Sequence, residues 1–234
     1  MPRCRAVTVA RGGSIVGGDA DQHRPAAAVF DALGARYEEA FAGSAAHAAS
    51  LERLLARLAP GSRVLDVGSG TGRPTAAALA AAGHDVLGVD VSPVMVGLAA
   101  RRVPGASFRC ADIRAVPLDD DSFDAVCAYF SLLQMSRKEQ SGLVRRLARA
   151  LRPGGAMVLA TVPLDLEDAE GVFMGQPVRV RSFSTGAFTA MVEEAGLTVL
   201  SADSQVFTPA HPEAMPEPQL FLDCERPAEV PVRS

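Results

Sequence analysis

At 234 residues the chain is long enough for one α/β domain with a complete hydrophobic core and short for two joined by a linker. Its 48% apolar and 21% charged residues are ordinary for a globular protein, and a net charge of −4, with basic residues that do not interleave with aromatics, argues against a nucleic-acid substrate. No apolar run reaches the length of a membrane span, so no membrane partner is expected.

In chain order, residues 1–22 combine Arg3, Arg5 and Arg11 with several glycines and no continuous apolar segment, which reads as a tail and not as a signal peptide. One domain is expected over 23–226, with a short tail at 227–234. From Pro25 to Ala59, Val29, Leu33, Tyr37 and Phe41, then Leu51, Leu54, Leu55 and Leu58, recur at helical spacing with a break at Gly43 and Ser44. One or two helices capping the domain (23–59) are predicted there. Strands follow at Arg63–Val67, Asp85–Val89, Ser107–Cys110, Ala125–Tyr129 and Ala156–Thr161. Helices lie between most of them at Pro74–Ala82, Pro93–Arg102 and Arg137–Leu151, with Gly83 and Pro153-Gly154-Gly155 as stop signals. Alternating strands and helices imply a parallel sheet covered on both faces, with ligands at the carboxyl ends of its strands.

After Thr161 the rhythm breaks. Residues 162–183 carry Pro, Gly and acidic residues around an apolar kernel, Val172–Pro177, and an insertion at a strand's carboxyl end is placed to act as a lid. Phe173, Met174 and Gln176 read equally as an acceptor-pocket wall or as a short hairpin packed onto the core. A helix at Thr185–Ala195 and strands at Thr198–Phe207 and Gln219–Cys224 complete the chain, the last two joined by a Pro-rich loop containing His211. Cys4, Cys110, Cys127 and Cys224 show no CxxC spacing and two fall in strand-like runs, so free thiols in a reducing, cytoplasmic compartment are expected.

The segment Val64-Leu65-Asp66-Val67-Gly68-Ser69-Gly70-Thr71-Gly72-Arg73-Pro74 has the shape of a nucleotide loop. Its glycines permit a tight turn and close backbone approach to a ligand, and Pro74 suits the first turn of the next helix. A dinucleotide fingerprint would place its third glycine where Arg73 stands, and no Gly-Lys-Ser/Thr is present, so NAD and a phosphate-binding P-loop are disfavoured. Asp66 would repel a pyrophosphate but suits a cationic sulfonium amino acid. Asp90 closes the second strand, 18 residues beyond Gly72, where a carboxylate can accept from both ribose hydroxyls. Asp112 follows the third strand, where it can accept from an adenine amine while Val91, Met95 and Ile113 pack on the ring.

These residues resemble the class I S-adenosylmethionine-dependent methyltransferases, closely over residues 60–162 and loosely elsewhere. Val64–Gly72 looks like the family's first motif, Gly88-Val89-Asp90-Val91-Ser92 the second, Arg109–Ile113 the third, and Phe123-Asp124-Ala125-Val126 with Leu151-Arg152-Pro153-Gly154-Gly155 the later ones. The resemblance implies a doubly wound α/β fold with a mostly parallel seven-stranded sheet, a reversed last strand and a helical N-terminal cap. It implies S-adenosylmethionine as cofactor, with Gly68, Ser69, Gly70, Thr71 and Gly72 around the methionine portion, Asp90 on ribose, Ala111 and Asp112 near adenine, and Tyr129 and the cap's Tyr37 alongside. The similarity extends to small-molecule enzymes of bacterial cofactor and natural-product pathways, implying methyl transfer to oxygen, nitrogen or carbon of a small metabolite by a monomer or homodimer. The alternative is a domain that binds the sulfonium for a rearrangement, a cyclisation or sensing.

Methyl transfer from a sulfonium relieves a positive charge, so positioning and water exclusion supply much of the acceleration and no base is obligatory. The segment Tyr129–Met135 lacks the paired His motif that many relatives carry after the fourth strand. Gln134 can orient a ligand but is no base at neutral pH; with Phe130 it is a candidate substrate contact. His84 lies at the wrong end of the sheet, and His23 and His47 read as surface or packing residues of the cap, which leaves His211 as the histidine for the substrate side. No metal is expected, because no His/Asp/Glu cluster stands at ligand spacing.

Overall fold

Strand β1 (Arg63–Val67) is buried at every residue but its first, as a strand covered on both faces must be. It pairs in parallel with β2 (Asp85–Asp90) on one side and β4 (Phe123–Tyr129) on the other, with β3 (Ser107–Cys110) beyond β2 and β5 (Leu151–Thr161) beyond β4. β9 (Glu217–Glu225) runs antiparallel to β5, and β8 (Thr198–Phe207) antiparallel to β9 at the edge. The order β3-β2-β1-β4-β5-β9-β8 makes a doubly wound, mostly parallel seven-stranded sheet, with the last strand in sequence reversed. Because the chain leaves β1 toward β2 and later returns to its other side with β4, a crevice opens at the carboxyl ends of these strands.

The computed structural model describes residues 26–212 and 215–228, so the tail expected at 1–22, Cys4, His23 and most of the C-terminal tail lie outside the described residues. Between the strands run α4 (Thr75–Ala81), α5 (Pro93–Arg102), α6 (Arg137–Ala150) and, after the insertion, α7 (Thr185–Glu194). One face of the sheet packs Leu65, Val126, Leu159 and Leu222 against Leu143 and Leu147 of α6 and Phe188 and Val192 of α7. The other packs Val64, Cys127, Val158 and Phe221 against α4 and the last cap helix. Cys127 and Cys224 are buried free thiols, whereas Cys110 is exposed.

Two elements depart from the expected organisation, and the insertion takes one of the two forms expected for it. The cap forms three helices, α1 (Ala26–Leu33), α2 (Ala35–Phe41) and α3 (Ala45–Arg57), because the chain also breaks at Gly34, whose φ is +52°. The second break is the expected one, with Ser44 capping α3 through the His47 amide. β5 begins at Leu151 instead of Ala156, and Pro153-Gly154-Gly155 lies within it: Gly154 N–H donates to Arg226 O at 2.8 Å, and Arg226 N–H returns a bond to Gly155 O at 2.9 Å. The helix does stop before these residues, at Ala150, and pairing from the far end of the chain adds them to the strand. The insertion folds as a hairpin of β6 (Ala169–Phe173) and β7 (Gln176–Val180), turning on Met174 and Gly175 at φ 49° and 78°. Positive φ at both residues is what a two-residue turn needs to follow the strand twist.

The hairpin and cap build a third apolar cluster of their own: Val29, Leu33, Ala40, Met174 and Val178, with Phe30, Tyr37, Phe41 and Phe173 packed on them.

Candidate active site

Where β1 ends, Gly68 and Ser69 donate their amides to Val89 O at 2.7 and 3.2 Å, which stitches the glycine loop to β2. A Cβ on Gly68 would stand 2.3 Å from Ser131 Cβ, so the loop leaving β4 presses directly on this position, and φ of +70° suits glycine alone. Gly70 faces open space. The loop's remaining residues turn elsewhere: Ser69 sits beside Gly88, Gly72 packs on Val103 and Phe108, and Thr71 donates to Glu38 of the cap at 2.5 Å. Of the loop's expected ligand contacts, Gly68 and Gly70 line a cavity of about 430 Å³ that fills the crevice; Ser69, Thr71 and Gly72 support it.

The three carboxylates occupy different surroundings. Asp66 lies buried and off the cavity wall, with Oδ2 lacking a hydrogen-bond partner among the described residues. Burial, reinforced by the charge of Asp90, pushes its carboxyl up to about 7. Asp90 lines the cavity and accepts from Gly70 N–H at 2.9 Å and Ser92 N–H at 2.8 Å; burial raises it while these amides oppose the rise. Asp112 lines the cavity but is gripped by the Arg114 guanidinium, which holds its carboxyl below the usual range. Between Asp90 and Asp112 the wall is apolar, formed by Val91, Met95, Ala111 and Ile113.

The geometry accommodates S-adenosylmethionine. A buried carboxylate at the end of β2 faces the cavity, an apolar wall of Val91, Met95, Ala111 and Ile113 lies beside it, and Gly68 and Gly70 line it without side chains. An orphaned carboxylate oxygen on Asp66 behind these glycines suits an ammonium donor.

The opposite half of the cavity is aromatic. Phe30, Tyr37 and Phe41 come from the cap, Phe130 from the turn after β4, and Phe173 with Val178 from the hairpin. Tyr37 stacks on Phe41 with ring centroids 4.9 Å apart and meets Phe173 at 6.2 Å. The Tyr129 ring also lines the cavity, but its hydroxyl is tethered to Ser50 at 3.2 Å. Gln134 lines the cavity and keeps its buried Oε1 unpaired among the described residues. Met174 is buried against the cap and, like Gln176, is not on the wall, so the hairpin is at once cavity wall and packing element.

No described histidine reaches the cavity. His84 is buried before β2. His47 stacks on Tyr129 at 4.0 Å, bonds Thr75 Oγ1 at 3.1 Å, and is pushed down to about 4 by burial. His211 sits on the loop between β8 and β9, off the wall. Residues absent from the sequence-level expectation stand there instead: Phe30, Phe41, Arg114, Arg181 and Glu217. Phe30 lies seven positions before Tyr37, a helical spacing that hinted at it; Glu217, between Pro216 and Pro218, carried no local signal.

Comparison with known proteins bears on the family and the fold. Residues 64–155 match the family model described as a methyltransferase domain. The chain is 34% identical over 188 residues to the methyltransferase GfsG of Streptomyces halstedii, covering 73% of this chain and 66% of that protein. It is 44% identical over 112 residues to the demethylmenaquinone methyltransferase of Beutenbergia cavernae, covering 48% and 45%. The chain thus spans about two thirds of the first relative's length and under half of the second's. Among solved structures, the 1,6-didemethyltoxoflavin-N1-methyltransferase of Burkholderia thailandensis, with bound 1,6-didemethyltoxoflavin and S-adenosylhomocysteine, superposes with a TM-score of 0.66 at 21% identity, over 90% of this chain and 93% of that one. At that identity the likeness is one of fold.

Proposed function

We propose, for a chain that belongs to the class I S-adenosylmethionine-dependent methyltransferases, that it transfers the methyl group to an oxygen, nitrogen or carbon atom of a small metabolite in bacterial natural-product or cofactor biosynthesis. The observation that carries this reading is Asp90: a buried carboxylate at the end of β2, held by two loop amides, facing a cavity whose floor is glycine and whose flank is apolar. In this reading Asp90 accepts from the ribose hydroxyls, Val91, Met95, Ala111, Asp112 and Ile113 surround the adenine, and Gly68, Gly70 and Asp66 attend the methionine portion. Tyr37 and Tyr129 close the site around it.

The aromatic half then receives the acceptor, with Phe130, Gln134 and Phe173 as contacts and the hairpin over residues 162–183 as lid. A cavity of about 430 Å³ suits a small molecule. The names of the relatives, which act on small molecules such as demethylmenaquinone and 1,6-didemethyltoxoflavin, support that scale. No described helix is long and apolar enough to cross a membrane, and we place the enzyme in the cytoplasm as a monomer or homodimer.

Calorimetry with S-adenosylhomocysteine, combined with transfer of label from methyl-labelled S-adenosylmethionine to candidate acceptors, tests the reading. Tight binding with label on the acceptor is expected. Conversion of an acceptor while no label moves would assign the bound sulfonium to a rearrangement or cyclisation instead.

A further inference from the structure

The ionisable groups on the cavity wall are nearly all committed. Asp90 accepts from two amides. Asp112 and Glu139 both accept from Arg114, and Arg181 is paired with Asp168 and donates to Gln134 O. The Tyr129 hydroxyl meets Ser50, and the Tyr37 phenol is pushed up by burial and the charges of Glu217 and Asp90, so it stays protonated.

Glu217, the first residue of β9, differs. Its Oε1 accepts one hydrogen bond, from Gln219 Nε2 at 2.9 Å, and among the described residues no cation pairs with it and Oε2 accepts nothing. The Gln219 amide cannot flip freely, because Gln205 Nε2 donates to Gln219 Oε1 at 3.1 Å and also reaches Ser44 Oγ at 3.3 Å. This chain of amides turns the Gln219 NH₂ toward Glu217 and fixes one carboxylate oxygen. The groups facing Glu217 are Tyr37 from α2, Gln219 on its own strand and Phe207, its partner on β8; Tyr37 is the one of these that titrates.

We infer that Glu217 is the general base of the acceptor half-site, and that the acceptor is a phenolic or enolic hydroxyl on a flat apolar frame. This inference rests on the methyl-transfer reading above. The acceptor class follows from what the wall offers. The rings of Phe30, Phe41 and Phe173 favour an aromatic body. Both arginines on the wall are already paired, so a preformed carboxylate or phosphate acceptor finds no free cation.

A neutral hydroxyl becomes a competent nucleophile by losing its proton, and Glu217 is the carboxylate positioned to take it. In the step, the hydroxyl oxygen's electron pair forms the bond to the methyl carbon while the carbon–sulfur bond breaks with its pair staying on sulfur. The hydroxyl proton passes to Glu217, leaving methyl ether, S-adenosylhomocysteine and a neutral carboxylic acid. Burial holds the Glu217 carboxyl above the usual range, which strengthens it as a base near neutral pH. Gln219 is a positioning residue.

The test uses the full chain with methyl-labelled S-adenosylmethionine and 1-naphthol, catechol and 4-nitrophenol as acceptor probes, with benzoate and benzylamine as comparisons. Label on the phenolic oxygen is expected, with an acid limb in the pH–rate profile. Glu217→Gln should lower kcat about 100-fold and abolish that limb, Glu217→Asp should retain part of the rate, and Gln219→Leu should lower kcat about 10-fold and shift the limb. All three should keep the affinity for S-adenosylhomocysteine within about twofold, since none belongs to the cofactor end.

Independently of turnover, the ¹³C carboxyl resonance missing from Glu217→Gln should move when 1-naphthol is added to protein saturated with S-adenosylhomocysteine. A Glu217→Gln rate close to that of the unmutated protein, a resonance indifferent to 1-naphthol, or label only on benzoate or benzylamine would overturn the inference. So would unlabelled phenols in a protein that binds S-adenosylhomocysteine. Failure to bind S-adenosylhomocysteine would instead overturn the methyl-transfer reading on which it rests.

Discussion

Thr71 of the glycine loop donates its hydroxyl hydrogen to Glu38 of the second cap helix at 2.5 Å, and the same carboxylate oxygen accepts from Arg102 of α5. A second acidic cap residue, Asp31, accepts from Ser92 Oγ at 2.5 Å and from Val94 N–H at 3.3 Å at the start of α5. Two carboxylates of the cap thus latch it over the loop and the second strand's end. Their loop and strand-end partners lie 33 and 61 residues away.

Breaking the Thr71 latch should loosen the cap and not the sheet. Glu38→Ala removes a charge-assisted hydrogen bond and a partly exposed ion pair, worth together about 1–2 kcal/mol. Affinity for S-adenosylhomocysteine should fall about 10-fold, measured by calorimetry, and the melting temperature by a few degrees.

The two central glycines make opposite demands. Gly68→Ala drives a methyl group into Ser131 at a left-handed backbone position and should destabilise the fold by about 3 kcal/mol. Gly70→Ala meets no protein atom, so its stability loss should be near 1 kcal/mol, the cost of φ +52° for an L-residue. Its methyl group projects into the cavity proposed to hold the cofactor, and binding of S-adenosylhomocysteine should weaken more than stability does. Thermal melts and calorimetry on the pair separate the two effects.

Asp66 predicts a pH dependence of stability. Burial holds its folded carboxyl up at about 7, against the ordinary carboxylate value of 3.8 in the unfolded chain. Between these values the folded state keeps the proton that the unfolded state has lost, so stability falls as pH rises from about 4 to 7 and is level above, a difference of at most about 4 kcal/mol. Asp66→Asn should remove that component: equal to the parent near pH 4, more stable at pH 8, by urea unfolding across the range. A parent and variant with parallel pH curves would refute the assignment.

Phe173 tests the aromatic wall of the cavity by itself. Phe173→Ala removes a ring that meets Tyr37 and Phe41 and leaves the glycine loop and Asp90 untouched. S-adenosylhomocysteine affinity should stay within about twofold, whereas KM for a phenolic acceptor should rise about 10-fold, the value of a lost aromatic contact. Steady-state kinetics beside calorimetry reads both.

The sheet was legible because its information is local. Strands buried on both faces are near-continuous apolar runs, so Val64–Val67, broken by Asp66 alone, and Ala125–Tyr129 announced themselves, and glycines with Asp90 at a strand end announced a crevice at the strands' carboxyl ends. The helix stop at Pro153-Gly154-Gly155 held, since α6 ends at Ala150, but nothing local showed that Leu151–Gly155 would join β5, which rests on pairing with Arg226.

The sequence by itself determined the fold class and the glycine-loop end of the cavity, since both rest on residues within one βα unit or on the ends of neighbouring parallel strands. Only the tertiary structure decided the aromatic end, where cap, hairpin and the start of β9 converge from three parts of the chain. Chemistry there depends on which groups remain unspent after pairing. Arg114 and Arg181 are consumed by carboxylates and Glu217 is not, and that balance is set by contacts between side chains far apart in sequence, which no periodicity or motif encodes.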